Sequence, residues 1–195
     1  MIDEMQQTKR HYSVDEYFGI EEMSDLRHEY FDGEIFAMSG GSLNHNQISQ
    51  NLSRAFDALR DRCRSYLADV RVKTDAGLYT YPDVFVICDP PAYSSDRLPT
   101  VTNPVVIAEV LSSSTRDYDR GQKFDLYRTI PTLHDYLLVD QYAVDVEHRF
   151  LDGGRWESKR HSSRQDAVQL RGVDLALQVD AIYELVDFSP PPHNQ

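Results

Sequence analysis

Two acidic residues lie in segments that otherwise consist almost entirely of apolar residues. Asp83 is part of YPDVFVIC (Tyr81–Cys88), and Glu109 is part of VVIAEVLS (residues 105–112). Such runs are typical of buried strands, where an ionised carboxylate is seldom found unless it is paired or bound to a metal ion. A shared Mg²⁺ would satisfy both acids, since this ion prefers carboxylate oxygens and keeps waters that can attack or contact a phosphate. Alternatively, each acid marks a strand end at the solvent boundary or pairs with an arginine.

The elements that must position these acids alternate between helix and strand. The Ser13 and Glu16 pair forms a capping box that predicts a first helix ending before Ser24. The strongest helical pattern begins near Asn44, which we expect to cap it. Further elements are predicted as strands at 65–74 and 79–88 joined as a hairpin, a strand at 104–111, a helix at 119–129, a strand at 134–139 and a hairpin of 143–151 with 155–161.

The predicted order is therefore helix, three strands, helix and strand, followed by an added C-terminal β-hairpin. Helices that alternate with buried strands indicate an α/β, or mixed α+β, fold with a mixed central sheet flanked by helices. We expect one domain over residues 1–188 and a disordered, proline-rich tail over 189–195.

Composition limits the classes of function. The 195 residues carry a formal net charge of −12, so binding of nucleic acid requires a local positive surface or a bound cation. No apolar run approaches a membrane span and the N-terminus has no apolar signal core, so we expect a cytoplasmic protein without membrane contact. Cys63 and Cys88 form no CxxC pair, which indicates neither a disulfide framework nor a structural zinc site.

Several sequence words occur in an order that resembles a known family. Pro82-Asp83 and then, 26 residues after Asp83, Glu109-Val110-Leu111 before a helix are similar to the PD-(D/E)XK nuclease superfamily. The surrounding words resemble the Uma-two family of predicted restriction endonucleases, a domain of unknown function, over roughly residues 13–185. These words are HEYFDGEI (28–35), NHNQISQNL (44–52), DVRVKT (69–74), YPDVFVI (81–87), EVLSSST (109–115), RGQKFDLYR (120–128) and DYLLVD (135–140).

The resemblance implies a restriction-endonuclease-like fold and roles for particular residues. Asp83 and Glu109 would be metal ligands, with the Val110 carbonyl as a third. The superfamily places a lysine two residues after the glutamate, but this chain has Leu111 there. The Uma-two branch carries its lysine on the next helix, at the position of Lys123, where a cation can reach the same point in space. A solvated lysine that pairs with Asp119 is the alternative.

Three further residues are candidates. Gln122, next to Lys123, could orient a water. His45 lies in the first turn of the predicted long helix, where a phosphate would fit, although residues there more often cap or pack. Glu29 matches the family's acid in HEYFDGEI and could add a carboxylate to the metal site or bond to the backbone.

The leading hypothesis is a Mg²⁺-dependent endonuclease, with Mn²⁺ as a possible substitute, that hydrolyses phosphodiester bonds of DNA. It would act as a homodimer, by analogy with enzymes that cut both strands, and its acidic charge predicts weak, salt-sensitive DNA binding by the lone subunit. One alternative is a catalytically inactive interaction or nucleic-acid-binding module on the same fold. Another is a small-molecule phosphohydrolase.

Overall fold

The computed structural model describes residues 10–38 and 40–189. Their helices are α1 (Val14–Met23), α2 (Leu43–Phe56), α3 (Arg116–Arg120), α4 (Gln122–Tyr127) and α5 (Val179–Ile182), with a 3₁₀ turn at Asp57–Leu59. Their strands are β1 (His28–Phe31), β2 (Glu34–Ala37), β3 (Arg64–Leu67), β4 (Val72–Lys73), β5 (Tyr79–Thr80), β6 (Val84–Ile87), β7 (Val106–Leu111), β8 (Asp135–Asp140), β9 (Val146–Asp152), β10 (Arg155–His161), β11 (Ala167–Gln169) and β12 (Ala176–Gln178).

A six-stranded mixed sheet forms the centre of the fold. Its strand order is β10-β9-β8-β7-β6-β3, and within it β7 and β8 run parallel while the other pairs are antiparallel. Strands β6, β7 and β8 are buried along their whole length, as their apolar sequences predict. The order α2, β3, β6, β7, α3 with α4, and β8 confirms the predicted core, and β9 with β10 confirms the added hairpin.

Both faces of this sheet are covered. On one face α2 packs through Ile48, Leu52 and Phe56 against Val84 and Ala108 of the sheet. On the other face α4 and a second, four-stranded sheet of order β2-β1-β5-β4 pack over a second apolar cluster. The site described below lies on this second face.

The predicted hairpin of residues 65–88 is divided between the two sheets. β4 and β5 form the turn around Gly77, whose φ of +91° suits glycine, whereas β3 pairs with β6 in the central sheet. In place of each long predicted strand, the structure therefore has two short strands: β3 and β4 for the first, and β5 and β6 for the second. As a result Asp83 lies just before β6, at the point where the chain passes from one sheet to the other.

The cap of α2 differs from the prediction. Ser42, not Asn44, is the N-cap, and its hydroxyl accepts a hydrogen bond from the His45 amide. The Asn44 side chain instead donates to the carbonyl groups of Gln141 and Asp187. These bonds tie the first turn of α2 to the end of β8 and to the C-terminal segment, so His45 has a fixed position.

The helix predicted at 119–129 begins earlier and is broken. Gly121 separates α3 from α4, and its amide donates to the carbonyl groups of Asp117 and Tyr118. The capping box of Ser13 and Glu16 on α1 is present as predicted.

Cys63 and Cys88 form a disulfide, so the prediction that no disulfide is indicated is wrong. Arg64 pairs with Ile87 at the end of the β3–β6 ladder, and the next residue on each strand is a cysteine. Cross-strand neighbours are close enough to bridge, but spacing along the chain does not reveal this register.

Two other predictions concern the ends of the chain and membranes. Of the tail predicted to be disordered, only Ser189 is described, and 190–195 lie outside the described residues. None of the described helices has the length and apolar character that crossing a membrane requires.

Candidate active site

A buried lysine lies at the centre of the site. The Nζ atom of Lys123 on α4 is 2.9 Å from Oε1 of Glu29, 2.9 Å from Oε1 of Glu109 and 3.6 Å from Oδ1 of Asp119. Its side chain is only 7% exposed, which contradicts the alternative of a solvated lysine. Burial alone would lower its pKa, but the surrounding carboxylates, that of Glu109 first, raise the pKa of Lys123 well above its usual value.

Glu109 is a buried carboxyl group on β7, and it is held by two donors. Its Oε1 atom accepts a hydrogen bond from the Tyr127 hydroxyl at 2.7 Å in addition to the Lys123 contact. Burial raises the pKa of Glu109 to about 8, against the opposing effect of the Lys123 charge. The Thr80 hydroxyl donates to Glu29, so both glutamates are fixed by hydroxyl donors.

Asp83 lies beside Glu109 because of the strand register. Val84 pairs with Ala108 across β6 and β7, which places the preceding Asp83 opposite Glu109. The Oδ2 atom of Asp83 accepts the Val110 amide at 2.7 Å, and the Asp83 amide lies 3.4 Å from Oε2 of Glu109. The two predicted acids therefore lie side by side, Asp83 just before β6 and Glu109 inside the buried strand β7, and Val110 contacts Asp83 through its amide.

The His45 side chain extends from α2 to the carboxylate of Asp83. Its Nε2 atom is 3.1 Å from Oδ2 of Asp83. Burial would lower the pKa of His45, but the bond to Asp83 and the charge of that carboxylate raise it. The contact with Asp83 therefore stabilises the protonated form of the imidazole relative to the neutral form.

Gln122 is not brought to these acids. It begins α4 as an exposed residue and lines a cavity of about 270 Å³ with Phe31 and Tyr118. Within residues 10–38 and 40–189 it has no hydrogen bond to Asp83 or Glu109. Adjacent helical residues point in different directions, so the position that buries Lys123 turns Gln122 outward.

Leu111 cannot take the place of a catalytic lysine, because it is fully buried in the apolar cluster between the central sheet and α4. The ammonium that contacts Glu109 is that of Lys123 on α4, at 2.9 Å. Sequence reasoning missed Tyr127 and gave Asp119 only as a partner of Lys123. Both lie four residues from Lys123, a helical spacing that places side chains on one face. Thr80 belongs to the second sheet, and no sequence pattern around it predicts its hydrogen bond to Glu29.

The donor set fits a hard divalent cation. Asp83 and Glu109 offer carboxylate oxygens, and the described residues provide no hydrogen-bond partner for Oδ1 of Asp83. No group of three or more His, Cys, Asp or Glu side chains within the described ranges is arranged to hold a metal ion, and the Lys123 ammonium already lies between three of the carboxylates. Mg²⁺ commonly takes only one or two carboxylates and completes its shell with water and phosphate, so the pair of acids suits that ion.

The arginines around this end of the sheet are paired with acids. Arg116 lies 2.7 Å from Asp140, and Arg120 lies 3.2 Å from Glu147. These side chains therefore do not form a purely basic patch.

The mixed central sheet and its flanking helices define a restriction-endonuclease-like fold. Residues 14–181 match the Uma2 family, which is described as "Putative restriction endonuclease". This chain belongs to that family.

Two relatives and one solved structure are similar to this chain. The uncharacterized protein slr1290 of Synechocystis sp. is 40% identical over 180 residues, which cover 90% of this chain and 93% of the relative. The uncharacterized protein sll1609 of the same organism is 43% identical over 136 residues, which cover 68% and 77%. A crystal structure from Anabaena variabilis, described as a "putative nuclease belonging to DUF820", superposes with a TM-score of 0.66 at 14% identity. It covers 83% of this chain and 92% of that one, and at such low identity it shows the shared fold.

Proposed function

We propose that this protein is a Mg²⁺-dependent endonuclease that hydrolyses phosphodiester bonds of DNA, with Asp83 and Glu109 as the metal ligands. The observation that carries the proposal is that Asp83, just before β6, and Glu109, within β7, lie side by side, with the Lys123 ammonium 2.9 Å from Glu109. Membership of the family supports the nuclease chemistry. When bound, the cation would supply a water nucleophile at neutral pH and offset charge on the phosphate.

The protein's own groups have separate tasks in this proposal. Lys123 provides a fixed positive charge that stabilises negative charge developing on the phosphate, and it needs no reorganisation because three carboxylates hold it. Tyr127 orients Glu109 through its 2.7 Å hydrogen bond. His45 orients Asp83 through the 3.1 Å contact of its Nε2 atom with Oδ2, and when protonated it would add a second positive charge beside the acids.

Cleavage assays test this proposal directly. Single- and double-stranded DNA, and RNA of matched sequence, are incubated with the parent protein and Mg²⁺ or Mn²⁺. We expect Asp83→Asn and Glu109→Gln to lower the cleavage rate at least about a hundredfold, as the loss of groups that stabilise a transition state does. Glu157→Gln, at an exposed position of β10, is the matched control and should cut at the parent rate. A parent that cuts none of these substrates, or acid variants that cut as fast as the parent, would show that the assignment is wrong.

One observation favours a second candidate, a nucleic-acid-binding module without turnover. Lys123 already provides a counter-charge to the buried carboxylates, so these groups do not depend on a metal ion for a cationic partner. Calorimetric titration with Mg²⁺ separates the two: a nuclease site binds the ion in a manner that Asp83→Asn abolishes, whereas a module without turnover shows no heat that depends on Asp83.

Assembly and location complete the proposal. We propose a homodimer, which would place two sites on opposite DNA strands, and β10 offers an exposed edge strand for pairing. Sedimentation that shows only monomer at micromolar concentration would contradict it. We also propose a cytoplasmic location. Cell fractionation that recovers the protein with cytosolic markers supports it, and recovery with secreted proteins would contradict it.

A further inference from the structure

A cavity of about 420 Å³ lies beside the Cys63–Cys88 disulfide. Both cysteines line it, together with Arg62 and the segment 169–174, which ends β11 and turns toward β12. The disulfide joins the residue before β3 to the residue after β6, whereas Asp83 precedes the opposite end of β6. The cavity is therefore separate from the candidate active site, and its size suits a small organic molecule.

The two cysteines differ in exposure. Cys63 is 2% exposed and belongs to the apolar cluster that packs against α2. Cys88 is only partly buried at the edge of that cluster. Exposed disulfides exchange with external thiols more readily than buried ones, so a thiol in the cavity would meet Cys88 first.

The charges around the cavity favour an anion, although the whole chain has a net charge of −12. The charged residues that line it are Arg62, Arg171 and Asp174. In the part of the chain that the structure describes, neither arginine forms an ion pair. Arg62 donates to the carbonyl oxygen of Asp174, and the Arg171 guanidinium lies 5.1 Å from the centre of the Phe150 ring. The residues that flank the two cysteines add equal numbers of opposite charges, and they are Arg60, Asp61, Arg64 and Asp89.

The backbone that carries Arg171 is held in place. The amides of Arg171 and Gly172 donate to the buried carboxylate of Asp135 at 2.9 and 2.6 Å. His148 contacts the same carboxylate at 2.7 Å. This segment therefore needs little ordering when an anion binds, which lowers the cost of binding.

We propose that Cys63–Cys88 is a thiol–disulfide exchange site, at which a small thiol that carries a carboxylate binds in this cavity and attacks Sγ of Cys88. The electron pair of the attacking thiolate forms a new S–S bond to Cys88. The pair of the old bond leaves on Sγ of Cys63, which takes a proton from water. A second thiol then attacks the small-molecule sulfur and releases Cys88 as a thiol, so two small thiols are oxidised to one disulfide while the protein disulfide is reduced by two electrons.

The anionic cavity ligand follows from the charges. The attacking species is a thiolate, and a carboxylate adds a second negative charge that a guanidinium can bind through its N–H donors. The acidic remainder of the chain repels such a molecule, so the cavity is the place where it concentrates. In the proposed cytoplasmic location, disulfides are commonly transient and redox-sensing, and this last point rests on that location.

Reduction of the full-length protein without divalent metal tests the role of the arginines. The freed thiols are alkylated at set times and counted by mass spectrometry, with 3-mercaptopropionate as the anionic probe and cysteamine as the cationic probe. The variants are Arg62→Gln and Arg171→Gln, and Arg155→Gln at an exposed position of β10 is the control. The ratio of parent to variant rates is compared for each probe, because this ratio cancels the intrinsic reactivity of the thiol.

We expect Arg62→Gln and Arg171→Gln each to slow reduction by 3-mercaptopropionate at least about threefold, as the loss of one nearby charge does. Neither variant should slow reduction by cysteamine, and Arg155→Gln should match the parent with both probes. About 0.5 M salt should remove the difference, since it screens exposed charges.

Two single-cysteine variants test which sulfur exchanges. Cys63→Ser keeps the partly exposed Cys88, and Cys88→Ser keeps the buried Cys63, while both lose the same disulfide. With 3,3′-dithiodipropionate, an anionic disulfide, Cys63→Ser should form the mixed disulfide at least about tenfold faster than Cys88→Ser, because a buried thiol is inert.

Equal slowing of both probes by the arginine variants, no slowing at all, or equal rates for the two single-cysteine variants would overturn the proposal. These assays need neither metal nor nucleic acid. The exchange site and the nuclease assignment can therefore fail separately.

Discussion

Replacement of Lys123 by methionine should destabilise the fold strongly and in a pH-dependent manner. The ammonium is buried between Glu29, Glu109 and Asp119, at 2.9, 2.9 and 3.6 Å. Methionine keeps most of the volume but leaves the carboxylates without a counter-charge. Removal of one partner from a buried ion pair costs about 3–5 kcal/mol, so we expect the free energy of unfolding to fall by that amount at pH 9.

The cost should be smaller at pH 6 than at pH 9. Because burial raises the pKa of Glu109 from 4.5 to about 8, the folded protein retains at pH 6 a proton that the unfolded chain has lost. The stability of the parent therefore decreases as the pH rises from about 4.5 to about 8. In Lys123→Met the neutral Glu109 needs no counter-charge at pH 6, which should reduce the cost by at least about 1 kcal/mol.

Urea unfolding at both pH values measures these differences. Lys159→Met, at an exposed position of β10, is the control and should change stability by less than about 0.5 kcal/mol. The double variant of Lys123→Met with Glu109→Gln should recover part of the loss at pH 9, because it removes one unpaired charge. If Lys123→Met is no less stable than Lys159→Met at pH 9, the carboxylates do not depend on the ammonium and the reasoning about the site is refuted.

Three further predictions concern the disulfide, the tyrosine donor and the metal. Reduction of Cys63–Cys88, which closes a loop of sequence separation 25, should lower the free energy of unfolding by about 3 kcal/mol, and equal urea midpoints with and without reductant would contradict this. Tyr127→Phe removes a donor to Glu109 and should raise the pKa of that carboxyl further, so the pH of half-maximal cleavage should move upward, and an unchanged profile would rule out the contact. Affinity for Mg²⁺, measured by calorimetry, should increase as the pH rises through about 8, because a ligand must lose its proton to bind, and a flat dependence would exclude Glu109 as a ligand.

The central layer of the fold was predictable because its signal is local. Long apolar runs identify β6, β7 and β8 as interior strands, and the helical pattern identifies α2. The division of residues 65–88 between two sheets was not predictable, since it depends on the pairing of β5 with β1, where Tyr30 lies opposite Tyr79. The same limit applies to Cys63 and Cys88, which are brought together by strand register.

The site was predictable where an unusual residue type marks it. Asp83 and Glu109 stand out because each acid interrupts an apolar run, whereas Lys123 was identified only through the family resemblance, since its own helix has a mixed charge pattern. Contacts made across layers, such as that of Thr80 with Glu29, require the tertiary structure. The sequence also could not show that Lys123 is buried and holds the carboxylates together.

A crystal structure of the protein grown with Mn²⁺ tests the central claim most directly, because the anomalous signal locates the metal without reference to activity. The proposed function predicts a peak coordinated by carboxylate oxygens of both Asp83 and Glu109. The absence of such a peak at millimolar Mn²⁺, with Lys123 as the sole cation beside Glu109, would contradict it.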